Sequence, residues 1–492
     1  MAAIEHPSRS TAGPRRAVAL LPEGRLAIPV VLYLVAIMLP IGFYVGPIYL
    51  NLIRIVLLVT VIPLTLKVLA GQCGRILVPD IFFLLFVIWT AIATAINDPG
   101  RVMEHVGSTS VEFIGSYVLA RAYIRTAADF LSLSRILVLL IIATTPIAVY
   151  ELITNNPLML QILQSIPGMR TEWVITGEDE MRMGLFRVQA VFSHPIHYGM
   201  FCSVGFALCF VGLKGVYGTL RRYVSTAIII LCTFMSLSSG ALLPVFLQAG
   251  IIIWASVFNR VEKRWFIFVG LVVLGYVTVE ILSNRPPLIV FASYLAFSPW
   301  NAYWRALIFE YGMQNVWANP WFGIGMTGDW VRPVWMGPST VDNFWLVVAM
   351  RYGFPGILLL GVGYLQPFLP IAFRKFARGT DAWRLRRAWL IVFVGLTFSL
   401  TTVHVWSTLY SFVFFLFGAG MCFLTIPSEQ GAGATAVAQR LAARRTGEPG
   451  LAPAQEAAPT AGLVQQSDGQ VEGGSATPYS RFPPMVRKPD PL

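Results

Sequence analysis

An all-α polytopic membrane protein is the fold class this sequence predicts, on three observations. The chain is 56% hydrophobic and only 12% charged, with a mean hydropathy of +0.68; an ordinary soluble domain carries about 25% charge. Apolar windows of about 20 residues, the length that spans a hydrocarbon core, recur at 27–46, 48–67, 79–96, 109–124, 136–154, 196–213, 223–239, 241–258, 265–282, 342–370, 389–406 and 407–426. Lysine and arginine collect at alternate ends of those windows, which gives the twelve expected transmembrane helices an orientation.

With the N-terminus inside, the cytoplasmic segments hold Arg9, Arg15, Arg16 and Arg25, then Lys67 and Arg75, then Arg121, Arg125 and Arg135. Later ones hold Lys214, Arg221 and Arg222, then Arg260, Lys263 and Arg264, then the run from Arg374 to Arg387. Both termini are therefore expected in the cytoplasm. The formal net charge of +12 is a topology signature. A nucleic-acid partner would call for a basic, polar soluble domain, and the sequence has none.

Taken in order, residues 1–26 are short, basic and rich in Pro and Ser. No small-residue cleavage site follows a short apolar core, so the first window reads as a signal anchor. Residues 27–426 form the membrane domain. Its fourth window is the weakest, with Glu112 and Arg121 near its ends, and very short turns join the windows within 223–258 and within 389–426. Residues 427–492 turn to Gly, Ala, Pro, Gln and Ser, a composition that buries no core and predicts a disordered cytoplasmic tail. Cys73 falls in a cytoplasmic loop and Cys202, Cys209, Cys232 and Cys422 within spans, so neither disulfides nor structural zinc are expected.

Three segments are external. Residues 97–108 are short. Residues 155–195 carry the acidic cluster Glu178-Asp179-Glu180 and then Arg182, Arg187, His194 and His197. The large loop, 283–341, lies between the ninth and tenth windows and holds Trp300, Trp304, Trp317, Trp321, Trp330 and Trp335 of the 14 tryptophans. Within it Tyr303, Ile308 and Tyr311 recur at helical spacing, which predicts a short helix along the outer membrane surface with its tryptophans as anchors.

Polar residues against a bilayer face are costly unless they bind or react. Arg305, framed by Tyr303 and Trp304, offers a planar fork suited to a phosphate or pyrophosphate; an arginine snorkelling to headgroups accounts for it equally simply. Arg187, just outside the sixth window, either shares that site or steadies a loop turn. His194 and His197 flank Pro195 at a helix start. A metal would need a third ligand, none is evident, and hydrogen bonding to sugar or phosphate is the favoured role beside a purely local one. Asp342 and Asn343 open the tenth window, where Asp342 serves as helix cap, as a base for a sugar hydroxyl, or as both. Arg54 and Arg351 are intramembrane charges that call for acidic partners, with Glu112, Glu151 and Glu310 as candidates.

These residues carry a family resemblance. Arg305, followed by Asn319-Pro320-Trp321-Phe322-Gly323-Ile324-Gly325, Asp342-Asn343-Phe344-Trp345-Leu346 and Arg351-Tyr352-Gly353-Phe354-Pro355-Gly356, resembles the O-antigen ligase and polymerase (Wzy-like) superfamily. Tyr117-Val118-Leu119-Ala120-Arg121, Phe192-Ser193-His194-Pro195 and Ser236-Leu237-Ser238-Ser239-Gly240-Ala241 also fit, and with them the resemblance covers most of 27–426. It implies a GT-C-like, metal-independent membrane glycosyltransferase of the bacterial inner membrane that needs no cofactor. Its donor and acceptor would be undecaprenyl-diphosphate-linked glycans, and its partners the bilayer, a chain-length co-polymerase and a flippase.

By the same resemblance Arg187 and Arg305 hold the diphosphate at the periplasmic face; from the residues themselves, Asp342 is expected as the third catalytic residue. His194, His197, Asn343, Trp304 and Arg351 form the substrate-binding set. Two positions depart from the family pattern. Ligases carry a histidine where this chain has Asp342, which points towards a repeat-unit polymerase rather than a lipid A-core ligase. Ser239 stands where many members have arginine. A lipid-linked oligosaccharide flippase is the contrasting class, and it would line a central cavity rather than outer loops with polar residues.

Overall fold

The computed structural model describes residues 24–46, 48–171, 181–283, 299–326, 330–336 and 340–427. Most of the N-terminal segment, the acidic cluster at 178–180, part of the large loop and the tail from 428 lie outside them. Eight helices among the described residues are long and apolar enough to cross a membrane: Leu52–Leu69, Val78–Asn97, Ala127–Thr154, Pro195–Gly212, Ser239–Val257, Arg264–Leu282, Phe344–Phe373 and Ser407–Thr425. The other four windows also meet helix, but each in a form that falls short of a regular apolar span.

The first window differs most from expectation. Its helix, α1 (Ile28–Met38), has 11 residues, about 16 Å of rise against a core of about 30 Å. Leu39 precedes a proline and leaves the helical region. The chain then forms an antiparallel hairpin, β1 (Gly42–Val45) and β2 (Ile48–Asn51), around Gly46 at φ 61°. Gly42 exchanges two backbone hydrogen bonds with Arg170, both 2.8 Å, which ties the hairpin to the first part of the 155–195 segment.

Helices α2 (Leu52–Leu69) and α3 (Val78–Asn97) follow. The fourth window is not one α-helix. Two π-helical turns, Val102–Val106 and Val111–Gly115, alternate with α4 (Gly107–Ser110) and α5 (Ser116–Tyr123). Its two charges are paired: Glu112 with Arg54 at 2.8 Å, and Arg121 with Asp80 at 3.6 Å and with the carbonyls of Cys73 and Arg75. Helices α6 (Ala127–Thr154) and α7 (Leu158–Gln164) lead to a minimal hairpin, β3 (Met181–Arg182) and β4 (Leu185–Phe186).

Helix α8 (Pro195–Ala207) runs on as π-helix to Gly212, and α9 (Thr219–Met235), α10 (Ser239–Val257) and α11 (Arg264–Leu282) complete the first nine windows. The helix expected in the large loop is α12 (Pro299–Ala318). It turns Ile308 and Val316 onto α13 (Phe344–Leu365), where Gly312 admits the Leu346 side chain. Helix α14 (Phe368–Phe373) is short, α15 (Asp381–Leu400) begins with Asp381, Arg384, Arg386 and Arg387, and α16 (Ser407–Gly420) with α17 (Cys422–Thr425) closes the domain.

An aromatic core binds these helices. Phe83, Phe113, Tyr364, Trp389, Phe393, Phe414 and Phe417 contact one another with ring centroids 4.4–6.4 Å apart, in the edge and tilted geometries that aromatic quadrupoles favour, apart from Tyr364 and Phe417, which stack. All five cysteines are buried and free.

The Asn-Pro-Trp-Phe-Gly-Ile-Gly stretch acts as a clamp on a break in α13. Gly353 has φ 69°, ψ −173°, so the helix interrupts there and leaves backbone groups without helical partners. Ile324 donates to the Met350 carbonyl at 2.7 Å and Phe354 donates to the Pro320 carbonyl at 2.7 Å. Trp89 donates its indole N–H to the Tyr352 carbonyl at 2.9 Å and stacks on Phe322. On the other side Asn97 donates to the Phe322 carbonyl and Asp98 accepts from Met326. Arg351 sits at this break.

Candidate functional site

The loop carrying Arg182 and Arg187 is fixed before α8 begins. Val188 donates to the Met235 carbonyl at 3.0 Å, Arg187 Nε to Ser236 O at 3.4 Å, and Arg182 Nη1 to Leu237 O at 3.1 Å. The acceptors are the last residue of α9 and two residues of the turn to α10, where Leu237 takes φ 45°. From α6, buried Glu151 accepts the backbone N–H groups of Gln189 and Ala190 at 2.8 and 3.0 Å. A carboxylate that accepts two buried N–H groups removes a desolvation cost of about 1–3 kcal/mol for each. The loop is thus rigid where its arginines leave it.

His194 is the N-cap of α8, its Nδ1 accepting from Ile196 N at 3.1 Å. That bond assigns the neutral ring's proton to Nε2. Burial, with help from Arg187 and Arg182, pushes its pKa down to about 4. His197, one turn on, is fully engaged. Its Nδ1 meets Ser193 Oγ at 3.2 Å, its Nε2 meets the His404 carbonyl at 3.4 Å, and its ring lies 4.0 Å from Trp406. It buttresses the 401–406 turn.

Helix α13 starts with a difference from expectation. Asn343, not Asp342, is its N-cap, with Oδ1 accepting from Leu346 N at 3.0 Å. The side-chain amide oxygen meets the first free N–H, and the preceding carboxyl is left outside the helix. Asp342 therefore faces the cavity, with Thr340 Oγ1 donating to it at 3.4 Å. Its side chain is open to that cavity yet surrounded by protein. Burial raises the Asp342 pKa, and Arg305 and Thr340 draw it partly back.

These groups share one cavity of about 630 Å³, within the range of small-molecule sites. Its wall includes Arg182, Arg187, His194, His197, Asp342, Arg351, His404 and Trp406. Of the residues singled out from sequence, Arg187, His194, His197, Asp342 and Arg351 meet here. Arg305, on α12, is not among the lining residues but acts on Asp342 through its charge; burial lowers its own pKa and Asp342 opposes this. Trp304 packs instead against Trp335, 6.2 Å between centroids. Arg54 takes Glu112 as its partner, and Glu151 belongs to the arginine loop.

Three wall residues were not anticipated. Arg182 was seen only as part of a charged segment, and His404 and Trp406 fell at a junction between two apolar windows. Burial, with Arg351 nearby, pushes the His404 pKa down to about 3, so the ring is neutral, and its Nδ1 is buried without a hydrogen-bond partner. A histidine and a tryptophan in the short break Thr402-Val403-His404-Val405-Trp406 were the available signal. Among the described residues no three His, Cys, Asp or Glu gather as a metal site.

Chemically, the wall joins permanently charged guanidinium groups, a carboxyl with a raised pKa and neutral imidazoles. Such a set stabilises a departing anion and accepts a proton from a hydroxyl. A family model described as O-antigen ligase matches residues 224–361, from α9 into α13. No curated protein matches the chain. The matched stretch contains Arg305, the clamp, Asp342, Asn343 and Arg351, and it supports an O-antigen ligase/polymerase-like family of membrane glycosyltransferases.

Proposed function

We propose that this protein polymerises undecaprenyl-diphosphate-linked oligosaccharide repeat units at the periplasmic face of the bacterial inner membrane. The observation that carries this reading is the single cavity in which Arg182, Arg187 and Arg351 oppose Asp342. A hydroxyl of the acceptor glycan attacks the donor's anomeric carbon. As that carbon–oxygen bond forms, the bond from the same carbon to the lipid diphosphate breaks. The diphosphate leaves with the electron pair and the hydroxyl proton passes to Asp342. Guanidinium groups fixed beforehand on a rigid loop stabilise the leaving charge without reorganising. In this scheme they supply the charge, and the transfer is metal-independent.

His194, with its proton on Nε2, donates to a phosphate or sugar oxygen. Arg305, through its charge, offsets part of the burial that raises the Asp342 pKa. Transfer of a finished glycan onto a different acceptor is the same chemistry, and the matched family's description favours it. Asp342 in place of the ligase histidine favours the polymerase. Arg187→Ala and Arg305→Ala, tested in cells that make the polymer, are each expected to abolish it while protein level stays normal. Unchanged polymer length and yield in both variants overturns the proposal.

A further inference from the structure

A second cavity, about 280 Å³, adjoins the first across a wall made of Val347, Arg351, His404 and Trp406. We infer that it is the subsite for the acceptor's terminal, uncharged sugar; this rests on the glycosyl-transfer reading above. Three features select that ligand. First, the cavity's own charges cancel: Arg54 Nε lies 2.8 Å from Glu112 Oε1, and Arg54 also donates to the Tyr49 carbonyl. A diphosphate would meet no net positive charge there beyond Arg351 in the shared wall.

Second, neutral polar groups line it. Thr90 donates to the Val87 carbonyl at 2.8 Å and Ser108 to the His105 carbonyl at 3.2 Å, which leaves the lone pairs of both hydroxyls available. His105 Nε2 meets Tyr352 OH at 2.9 Å. An isoprenoid tail would want an unbroken apolar lining. A sugar, with hydroxyls that both donate and accept, fits a wall of Thr, Ser, His and Tyr over aromatic rings.

Third, the wall is built on the two π-helical turns, Val102–Val106 and Val111–Gly115; π-turns are rare and frequent at functional sites. The volume is just below the roughly 300 Å³ at which small-molecule pockets begin, room for a glycan terminus rather than a whole repeat unit. A hydroxyl presented from here lies beside Val347, Arg351, His404 and Trp406, which line both cavities, and extends past them towards Asp342 and the donor held by the arginines of the larger cavity.

The test uses the full chain in detergent and two probes, each titrated by calorimetry. One is undecaprenyl diphosphate. The other is the free oligosaccharide released by mild acid from the lipid-linked repeat units of the cells that make the protein. Thr109→Phe, which fills the smaller cavity, is expected to weaken oligosaccharide binding by about tenfold or more and to leave undecaprenyl diphosphate unaffected. Thr109→Ser keeps both. Oligosaccharide binding unchanged in Thr109→Phe overturns the inference, as does its absence in the unaltered protein or an equal loss of both probes. Failure of undecaprenyl diphosphate to bind the unaltered protein instead overturns the proposed function.

Discussion

Replacing Asp342 by Asn separates the base from the helix cap. In sequence the two roles overlap at 342 and 343, but the structure gives the cap to Asn343, whose Oδ1 accepts from Leu346 N at 3.0 Å. Asp342→Asn keeps shape and removes only the proton acceptor. Removing the Asp342 charge beside Arg305 changes stability by about 1 kcal/mol or less. Loss of a general base lowers rate by about 10²- to 10⁴-fold, which at 1.36 kcal/mol per tenfold is about 2.7–5.4 kcal/mol of barrier. The two effects are therefore distinguishable by size alone.

The assay is the rate of chain extension by purified protein supplied with lipid-linked repeat units, beside a thermal melt. Asn343→Ala is the control. It loses the cap, costs about 1 kcal/mol of stability and leaves the carboxyl in place. The pH profile adds a sign. Burial raises the Asp342 pKa, so the active carboxylate is lost as pH falls through a value above the usual Asp range near 3.9. Activity of the unaltered protein should fall on the acid side from a higher pH than an ordinary carboxylate gives, and Asp342→Asn should lack that limb. Full activity in Asp342→Asn, or an acid limb unchanged in it, refutes the assignment.

Three further outcomes follow from the supports of the site. Gly353→Ala forces a left-handed residue, and its Cβ against the Trp321 carbonyl; strain of about 1–3 kcal/mol should lower the Tm and the membrane level together. Glu151→Ala strands the buried N–H groups of Gln189 and Ala190; at about 1–3 kcal/mol each it should loosen the arginine loop, seen as faster proteolysis at 181–193. Arg54→Ala leaves Glu112 buried and alone, a loss of about 3–5 kcal/mol in a chemical-denaturation midpoint series, whereas pairing it with Glu112→Leu should recover most of that.

How much of this was legible depends on how local the cause is. Burial in lipid writes itself into composition, so the apolar windows locate the helices closely; even the oddly charged fourth window lies over helix. The first window misled because Phe43-Tyr44-Val45 is as apolar as the helix before it. Only Pro40, Gly46 and Pro47 mark the change to a hairpin, and an average over 20 residues dilutes them. In sequence Asp342 reads as cap, base or both, because Asp and Asn both cap well and their order alone does not choose. Arg54 with Glu112 was among the pairs considered; the choice needed the two helices side by side. Glu151 reads in sequence as a partner for an intramembrane arginine, but its partners are backbone N–H groups, which a sequence does not display.

The Asn-Pro-Trp-Phe-Gly-Ile-Gly stretch shows why a motif and a site are different things. In sequence it lies between Arg305 and Asp342 and reads as part of the chemistry. In space its polar backbone is occupied with Met350, Phe354, Asn97 and Asp98, and its glycines lie too close to α13 and α3 for any side chain. Its effect on the cavity is indirect and large. Without the clamp, the broken backbone around Gly353 would have unmet groups in a medium that offers no water. Pro355, which has no N–H to give the Arg351 carbonyl, keeps the break from closing into a regular turn, so the clamp is what holds Arg351 in its place. The break gives one guanidinium a place among the residues that line both cavities, next to Met350 and Tyr352, whose carbonyls are held by the large loop and by α3. A substitution in the clamp should therefore displace Arg351 before it alters Arg187 or Asp342, which are held by α6, the turn between α9 and α10, and an independent cap.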